Sequence, residues 1–374
     1  MSEACKWKSR FDIGRVGVVG VVGVVGVRRV AVRSAVLCFA SGIVTTQALA
    51  VPVQDYDFDW ATIGAVGNGG LDRGPFTGNY GRGAVDYRYR ISKLETTTAQ
   101  WMEYVNTFST QGDEYASFGA PLFWGAQADP TYNGPGRRWR LRSVADAERL
   151  PVAGLTWRES AQYVNWLHNG KQSGFDSLVT GAYDSTTWGG NVRDGFTDEE
   201  RRLPGAKFWI PTMDEWMKAV YYDQNKNGAG DGGWWIYPDG SDTALISGFP
   251  DEGGETSGGI DTTGFPEEWN IPLGAYEDVV TPWGLWDASG GAMEYLEDFS
   301  TLGTLNVARR NMGSWAGDQG YWFIDQAGGF GSTPPDDWYP YTGFRIVSAI
   351  PSPGTNVIVY SLLLGSICRR RRLG

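Results

Sequence analysis

The chain has 374 residues, of which 41% are hydrophobic and 14% aromatic, and a formal net charge of −11. Between residues 51 and 350 the imbalance grows to 21 Lys and Arg against 41 Asp and Glu, which excludes nucleic acid as a partner because an acidic surface repels its phosphates. Cys5, Cys38 and Cys368 lie near the two ends, so thiol chemistry and disulfide bonds are excluded from residues 51–350.

The first 50 residues have the pattern of a secretory signal peptide. Arg28, Arg29 and Arg33 precede the apolar stretch 35–44, and Ala-Leu-Ala follows at 48–50. A basic region, a short apolar core and an A-x-A site are what the export machinery and signal peptidase recognise. The apolar core is much shorter than the ~20 residues of a membrane-spanning helix. The segment therefore predicts export of the remainder of the chain.

Three stretches of the predicted domain, residues 51–350, have the signature of helices. Each begins with a threonine, Thr97, Thr156 or Thr212, which is followed three residues later by Gln or Glu. In such a capping box the hydroxyl accepts a hydrogen bond from the first turn, and the Gln or Glu side chain accepts one from the cap residue. Apolar residues then recur at helical spacing. We therefore predict three amphipathic helices that pack on a common core.

Strand candidates are short and are separated by long loops. Residues 85–91 alternate in polarity before the first helix, and 207–210 and 344–347 are weaker candidates. Segments 170–198 and 223–269 are rich in Gly, Asp, Ser and Thr, and loops of that length usually carry function or bind metal. The pattern predicts an α+β domain with little regular secondary structure.

Two polar features of the sequence give little support for a metal site. The loop 223–231 begins like an EF-hand, but Trp234 stands where the final glutamate ligand belongs, so an Asx-rich turn is the preferred interpretation. The one histidine of the sequence, His168, lies in the second predicted helix. One imidazole cannot form a multi-histidine metal site, so we expect a side chain at the boundary of the core.

Six sequence blocks occur in order along the chain. They lie at 87–101, 151–166, 209–216, 284–295, 313–315 and 343–345. Together they resemble the motifs of the formylglycine-generating enzyme, or sulfatase-modifying factor, domain family. The third block is similar to R-L-P-T-E-x-E-W, the fourth to G-L-Y-D-M-x-G-N-V-W-E-W, and the last two to G-G-S and G-F-R. The resemblance spans about residues 60–348 and implies that family's loop-rich α+β variant of the C-type lectin fold.

The resemblance also implies where the family's chemistry would lie. In the catalytic members, two cysteines bind copper(I) and activate oxygen, three and eight residues after the serine of the G-G-S block. Counted from Ser314, these positions are Gly317 and Trp322, neither of which binds a soft metal ion. We therefore expect no copper, no catalytic residues and a non-catalytic binding or structural module. The alternative is an oxidoreductase of the formylglycine-generating type that acts on a protein substrate through other residues.

A structural calcium ion is a further implication of the resemblance. The block that holds it in the family assigns carboxylate oxygens to Asp287 and Glu294 and backbone carbonyls to Gly290 and Ala292. Hard oxygen ligands on a glycine-containing turn suit Ca²⁺. The family's asparagine after Gly290 is Gly291 here. The alternative is a turn in which Glu294 caps the backbone or forms a salt bridge.

Aromatic residues cluster in loops beside Gly, Pro and Asp. We predict Trp234, Trp235, Tyr237 and Trp338 as ligand-binding residues, because flat rings with polar neighbours suit an extracellular polysaccharide. A surface protein is the other expected partner. Packing of these rings in the core is the alternative, and a purely structural matrix component is a third possibility.

The last segment, 351–374, has the pattern of a sorting tail. It consists of Pro-Ser-Pro-Gly, an apolar run at 357–368 and four arginines at 369–372. It resembles the PEP-CTERM tail of Gram-negative bacteria, with Ser352 in place of that motif's glutamate. The resemblance implies processing by exosortase-type machinery and a destination at the cell surface or in the extracellular matrix. The alternative is a tail anchor with its arginines on the cytoplasmic side; in both cases only this segment would contact the membrane.

Overall fold

A computed structural model describes residues 53–260 and 267–351. The predicted signal peptide lies outside the described residues, as does the predicted sorting tail after residue 351. The described residues belong to one compact unit. Within these described ranges, no helix has both the length and the apolar character needed to cross a membrane.

The three predicted helices are the longest helices of the described part of the chain. In each of them both hydrogen bonds of the capping box are formed. Thr156, for example, donates its backbone N–H to Glu159 at 2.8 Å, and its hydroxyl accepts from the Glu159 N–H at 3.0 Å. The α-helices are α1 (Thr98–Ser109), α2 (Trp157–His168), α3 (Asp176–Val179), α4 (Met213–Tyr221) and α5 (Tyr321–Ile324). Single 3-10 turns lie at Thr77–Asn79, Asp113–Tyr115, Ala147–Arg149, Ser185–Thr187, Pro250–Glu252 and Glu267–Asn270.

Two four-stranded sheets and three short hairpins make up the strand content of the described residues. The first sheet is antiparallel, in the order β1-β2-β14-β7, and consists of β1 (Trp60–Ile63), β2 (Tyr89–Ser92), β14 (Val347–Ser348) and β7 (Phe208–Trp209). The second has the order β12-β11-β10-β13 and consists of β12 (Gly331–Thr333), β11 (Leu305–Met312), β10 (Met293–Leu302) and β13 (Thr342–Gly343). The hairpins pair β3 (Ala126–Ala128) with β4 (Trp139–Leu141), β5 (Gly190–Asn191) with β6 (Gly195–Phe196), and β8 (Tyr222–Asp223) with β9 (Gly233–Trp234).

The strand predictions hold only in part. The predicted strand 85–91 is paired only from Tyr89, because Val85 hydrogen-bonds instead with the Asn68 side chain and the Gly67 N–H. The candidate 207–210 contains β7. The candidate 344–347 begins after β13 and ends with the first residue of β14, so most of it joins the two sheets rather than pairing within one.

An aromatic core replaces the missing disulfides. Trp101 of α1 stacks on Tyr163 of α2 with ring centroids 5.3 Å apart, and Phe344 meets the same tryptophan edge-on at 5.7 Å. Aromatic side chains bury large apolar areas and gain further from edge-to-face contacts. The helical stripes predicted from the sequence therefore form core faces, as expected.

The two polar features have the expected local structures. The Asp223 carboxylate accepts from the Asn225 N–H at 2.8 Å, and the Asn225 side chain accepts from the Gly230 N–H at 3.0 Å, so this loop is an Asx-rich turn that joins β8 to β9. His168 is half-buried, and its Nδ1 accepts from the Lys207 N–H at 3.2 Å.

Candidate functional site

The segment that follows β11 is closed by one buried carboxylate. The Asp325 Oδ1 atom accepts from the Ser314 N–H at 2.7 Å, while Oδ2 accepts from the hydroxyls of Ser314 at 2.9 Å and Ser289 at 2.5 Å. All three side chains are buried. Because the same carboxylate holds both ends of 314–325, this segment is a tight closed loop.

The closing carboxylate has hydroxyl and amide donors around it. Burial raises the pKa of Asp325 to about 7, and its hydrogen bonds from Ser314 and Ser289 oppose that rise. A carboxyl in such surroundings is easily protonated near neutral pH. The loop is therefore held by a group whose charge depends on the solution pH.

The positions of the family's copper ligands lie within this loop. Gly317 has φ +80° and donates its N–H to the Ser257 carbonyl at 2.9 Å, and Trp322 in α5 is 54% exposed. A glycine has no ligand atom in its side chain, and an indole offers only an N–H donor. Within the described ranges, no group of three or more His, Cys, Asp or Glu side chains could hold a metal ion. These residues do not fit a copper site.

A cleft of about 470 Å³ lies between this loop and the second sheet. Asn311 of β11 and Thr333 of β12 line its sheet side, and Trp315 and Asp318 line its loop side. Tyr339, which precedes β13, also lines the cleft. The volume lies within the range of small-molecule sites. The cleft can therefore hold a ligand of one or two sugar rings in size.

A row of parallel aromatic rings ends at the cleft. Trp315 stacks on Tyr341 with centroids 3.8 Å apart and an interplanar angle of 10°. Tyr341 is in turn parallel to Trp269 at 5.9 Å, and Trp269 stacks on Phe123 at 4.9 Å. Tyr341 covers one face of the Trp315 indole, so the part of the ring that Tyr341 leaves uncovered is the part that lines the cleft. The row fixes the orientation of Trp315 before any ligand arrives.

The sheet side of the cleft carries an acceptor without a donor. Asn311 is 1% exposed, and its Nδ2 donates to the Thr333 hydroxyl at 3.2 Å, but its Oδ1 has no hydrogen-bond partner among the described residues. A buried unpaired acceptor costs about 1–3 kcal/mol. A ligand hydroxyl or amino group that donates to Oδ1 would remove this cost.

The loop side of the cleft contributes a carboxylate. Asp318 is partly buried, and its Oδ1 accepts from the Gly320 N–H at 2.8 Å. Burial raises the pKa of Asp318 above its ordinary value. With Asn311, this places two acceptors on opposite sides of one aromatic cleft.

The ligand-binding residues predicted from the sequence do not line this cleft. Two of these residues, Trp234 and Tyr237, are only 3% and 7% exposed. Trp234 packs edge-on against Tyr222 at 5.3 Å, and the Tyr237 hydroxyl donates to the Trp322 carbonyl at 2.8 Å. Both rings are core residues, because hairpin packing and internal hydrogen bonds take up the surfaces that a ligand would need.

The other two predicted residues remain partly accessible. Trp235 is partly buried, with the Lys226 ammonium 3.7 Å from its ring centroid. Trp338 is 52% exposed beside Tyr339. Sequence reasoning missed Trp315 and Asn311: Trp315 could have been found from its place in the G-S-W block, but nothing in the sequence marks Asn311.

The predicted calcium block contains an ion pair. Glu294 is buried and receives the Arg345 guanidinium at two points, Nε to Oε2 at 2.6 Å and Nη2 to Oε1 at 2.7 Å. Oε2 also accepts from the Trp216 indole at 2.7 Å. The Ala292 N–H donates to Glu95, which packs against the turn. Arg345 thus supplies the positive charge that the resemblance assigns to calcium.

The remaining predicted ligands do not complete a calcium site in this arrangement. The Asp287 Oδ2 atom accepts from the Gly274 N–H at 2.6 Å, and burial raises the pKa of Asp287 to about 6. The Gly290 N–H donates to the Ser314 hydroxyl at 2.9 Å. Because both Glu294 oxygens are bound to the Arg345 guanidinium, Glu294 does not fit the role of a Ca²⁺ ligand in this arrangement. The salt-bridged turn, which was the alternative, is the observed structure.

Comparison with known proteins identifies one matching family. The family profile described as "Sulfatase-modifying factor enzyme 1-like domain" matches residues 82–350. No curated protein is significantly similar in sequence.

Among solved structures, CarF is 14% identical in sequence to this chain. The match covers 79% of this chain and 99% of the CarF chain, with a TM-score of 0.45. Treponema denticola variable protein 1 is 16% identical, covering 78% and 95%, with a TM-score of 0.46. PvdO from Pseudomonas aeruginosa is 11% identical, covering 78% and 92%, with a TM-score of 0.37.

Proposed function

Because the chain belongs to the family of sulfatase-modifying factor enzyme 1-like domains, we propose that it is an exported, non-catalytic member that binds an extracellular polysaccharide. The predicted fold class, the family's loop-rich α+β fold, is confirmed. The proposed binding site is the cleft lined by Trp315 and Asn311.

The observation that carries this proposal is the unpaired Asn311 acceptor beside a pre-oriented indole. Sugar rings present an apolar face to aromatic rings and hydroxyl groups to polar atoms at their edge. Trp315 is held by its stack on Tyr341, and the Asn311 Oδ1 atom needs a donor. A site that is rigid before binding loses little entropy when the ligand enters.

The non-catalytic part of the proposal rests on residue chemistry. Gly317 and Trp322 stand at the two copper-ligand positions, and neither can supply a thiolate. The loop that carries them is closed by the Asp325 hydrogen bonds. The chain therefore keeps the frame of the family's site without its metal ligands.

The destination that we propose is the cell surface or the extracellular matrix. It is supported by the signal-peptide pattern of the first 50 residues and by the PEP-CTERM-like tail, on which exosortase-type machinery would act. A fold without disulfides is compatible with export, since the aromatic core and buried ion pairs provide its internal cohesion.

Glycan-array binding by the purified protein tests the proposed function. We expect saturable binding that Trp315→Ala abolishes and Trp338→Ala leaves intact, because Trp338 is exposed but outside the cleft lining. Binding that depends on Trp338 instead would move the site to the aromatic cluster predicted from the sequence. Absence of saturable binding to any glycan would favour a purely structural matrix component.

A second measurement tests the non-catalytic assignment. The purified protein is titrated with copper(I) and incubated with cysteine-containing peptides under oxygen. We expect neither stoichiometric copper binding nor oxidation of the peptide cysteine. Either activity would establish the alternative, an oxidoreductase with other site residues.

A further inference from the structure

We infer that the polysaccharide bound in this cleft carries free amino groups, whose ammonium form donates hydrogen bonds to the side-chain oxygens of Asp318 and Asn311. This inference rests on the proposed function. It assigns the chemical class of the ligand.

The charge of the cleft favours a cation. Asp318 is the one charged side chain among the described residues that line it, and no Lys, Arg or His is among them. Arg310, the neighbour of Asn311 on β11, packs over the Phe330 ring at 4.2 Å instead of lining the cleft. The domain around the cleft has a large excess of acidic residues. An acidic sugar would therefore enter against repulsion, whereas an amino sugar is attracted.

The hydrogen-bonding inventory of the cleft points the same way. The Asn311 Oδ1 atom has no donor, and the Oδ2 atom of Asp318 accepts from no group of the described residues. An ammonium group has three donors and no acceptor, whereas a hydroxyl brings an acceptor that needs a donor of its own. For these two acceptors an ammonium is therefore a better match than a hydroxyl.

The aromatic side of the cleft is compatible with such a ligand. The Trp315 ring is fixed by Tyr341 at 3.8 Å. An indole can contact the apolar face of a sugar ring and also attract a cation placed over it. A polymer of amino sugars can thus bring ammonium donors to the carboxylate and the amide oxygen, and a ring face to the indole.

Calorimetry with three hexamers of equal length tests the inference. The purified protein is titrated with glucosamine, N-acetylglucosamine and galacturonate hexamers at low and at high salt. We expect the glucosamine hexamer to bind about tenfold more tightly than the acetylated one, since a charge-assisted hydrogen bond is stronger than a neutral one. Galacturonate should bind most weakly, and high salt should reduce the glucosamine advantage.

Substitutions assign the preference to the cleft. Asp318→Asn keeps the oxygen that accepts from Gly320 but removes the charge, so the two glucosamine-based hexamers should then differ by no more than about twofold. Asp336→Asn is the matched control, because this exposed aspartate lies outside the cleft lining. It should leave the tenfold preference unchanged.

The possible failures of the test are distinguishable. Equal affinity for the two glucosamine-based hexamers, tightest binding of galacturonate, or a preference that survives Asp318→Asn would overturn the inference and leave the proposed function standing. If no hexamer binds, the inference fails, and the glycan array decides separately whether the proposed function stands. Binding of a lysine hexamer through Asp318, with no glycan bound, would replace the polysaccharide with a protein ligand and overturn both.

Discussion

At the scale of single residues, the Glu294–Arg345 pair governs the turn that the family resemblance assigned to calcium. Two N–O contacts of 2.6 and 2.7 Å join these fully buried side chains. Removal of one partner from such a pair leaves an uncompensated charge in a medium of low dielectric. We predict that Arg345→Leu lowers the free energy of unfolding by about 3–5 kcal/mol, measured by urea denaturation.

Arg345→Lys serves as the control for that prediction. Lysine keeps the positive charge but cannot form the two-point contact, so its loss should be smaller than that of Arg345→Leu. A loss below about 1 kcal/mol for Arg345→Leu would show that the pair contributes no more than an exposed salt bridge.

The same pair makes a prediction about calcium. Because both Glu294 oxygens are bound to Arg345, added Ca²⁺ has no complete ligand set at 287–294. We predict equal melting temperatures in calcium and in chelator, measured by differential scanning fluorimetry. A melting temperature that rises with calcium concentration would contradict this and restore the calcium site that the sequence predicted.

Gly291 stands where the family's motif has asparagine, and Glu95 crowds the space that a side chain would need here. The φ of Gly291 is +63°, and a Cβ at this position would lie 2.5 Å from the Oε1 of Glu95. We predict that Gly291→Ala destabilises the protein by clearly more than Gly284→Ala, measured by chemical denaturation. Gly284 is the matched control, since its φ of +80° gives similar backbone strain of about 1 kcal/mol but no atom lies within 4 Å. Equal losses in the two variants would mean that Glu95 moves aside at little cost.

At the scale of elements, the cap of α4 illustrates how local sequence fixes a helix. The Thr212 hydroxyl accepts from the Glu215 N–H at 3.1 Å, and Glu215 accepts from the Thr212 N–H at 2.8 Å. We predict that Thr212→Ala costs about 1 kcal/mol in the free energy of unfolding and that Thr212→Ser costs much less, because serine is an equally good cap. Equal losses would indicate that the methyl group of Thr212, rather than its hydroxyl, stabilises the helix start.

Such local signals explain which elements the sequence could predict. The helices α1, α2 and α4 begin at capping boxes, whose partners are three residues apart and visible in the sequence. The hairpin β10–β11 was not predicted, although it is the longest pair of strands in the described part of the chain. Strand β10 is buried on both faces over its first seven residues, so polarity does not alternate along it.

The charged residues of β10 obscured it further. Glu297 and Asp298 lie in the buried part of the strand, where they pair with Arg202 and Arg201 from a distant loop. A sequence pattern cannot show partners that are about a hundred residues away. The candidate cleft likewise depends on residues that are not neighbours in the sequence, since Asn311 and Thr333 meet only because β11 pairs with β12. The fold class was therefore predictable from local blocks, whereas the cleft depends on long-range pairing.

At the scale of the whole molecule, several carboxyl groups are buried without a full countercharge. Burial raises the pKa of Asp325 to about 7 and that of Asp287 to about 6. Burial and the nearby Glu294 also raise the pKa of Glu95 well above its usual range. The unfolded chain binds these protons only near pH 4. In the folded state Asp325 and Asp287 therefore hold protons between about pH 4 and 7 that the unfolded state has released.

This difference sets the sign of the pH dependence. Where the folded state binds more protons, stability falls as the pH rises, so the contribution of these groups is complete below about pH 4 and is lost by about pH 7. We predict that the melting temperature rises by several degrees as the pH is lowered from about 8 to 5, and a net charge that becomes less negative acts in the same direction. Scanning calorimetry across this range measures it, and Asp325→Asn, which cannot titrate, should show a shallower slope than the parent protein. A melting temperature that is constant or falls on acidification would mean that these buried carboxyls are charged in the folded state.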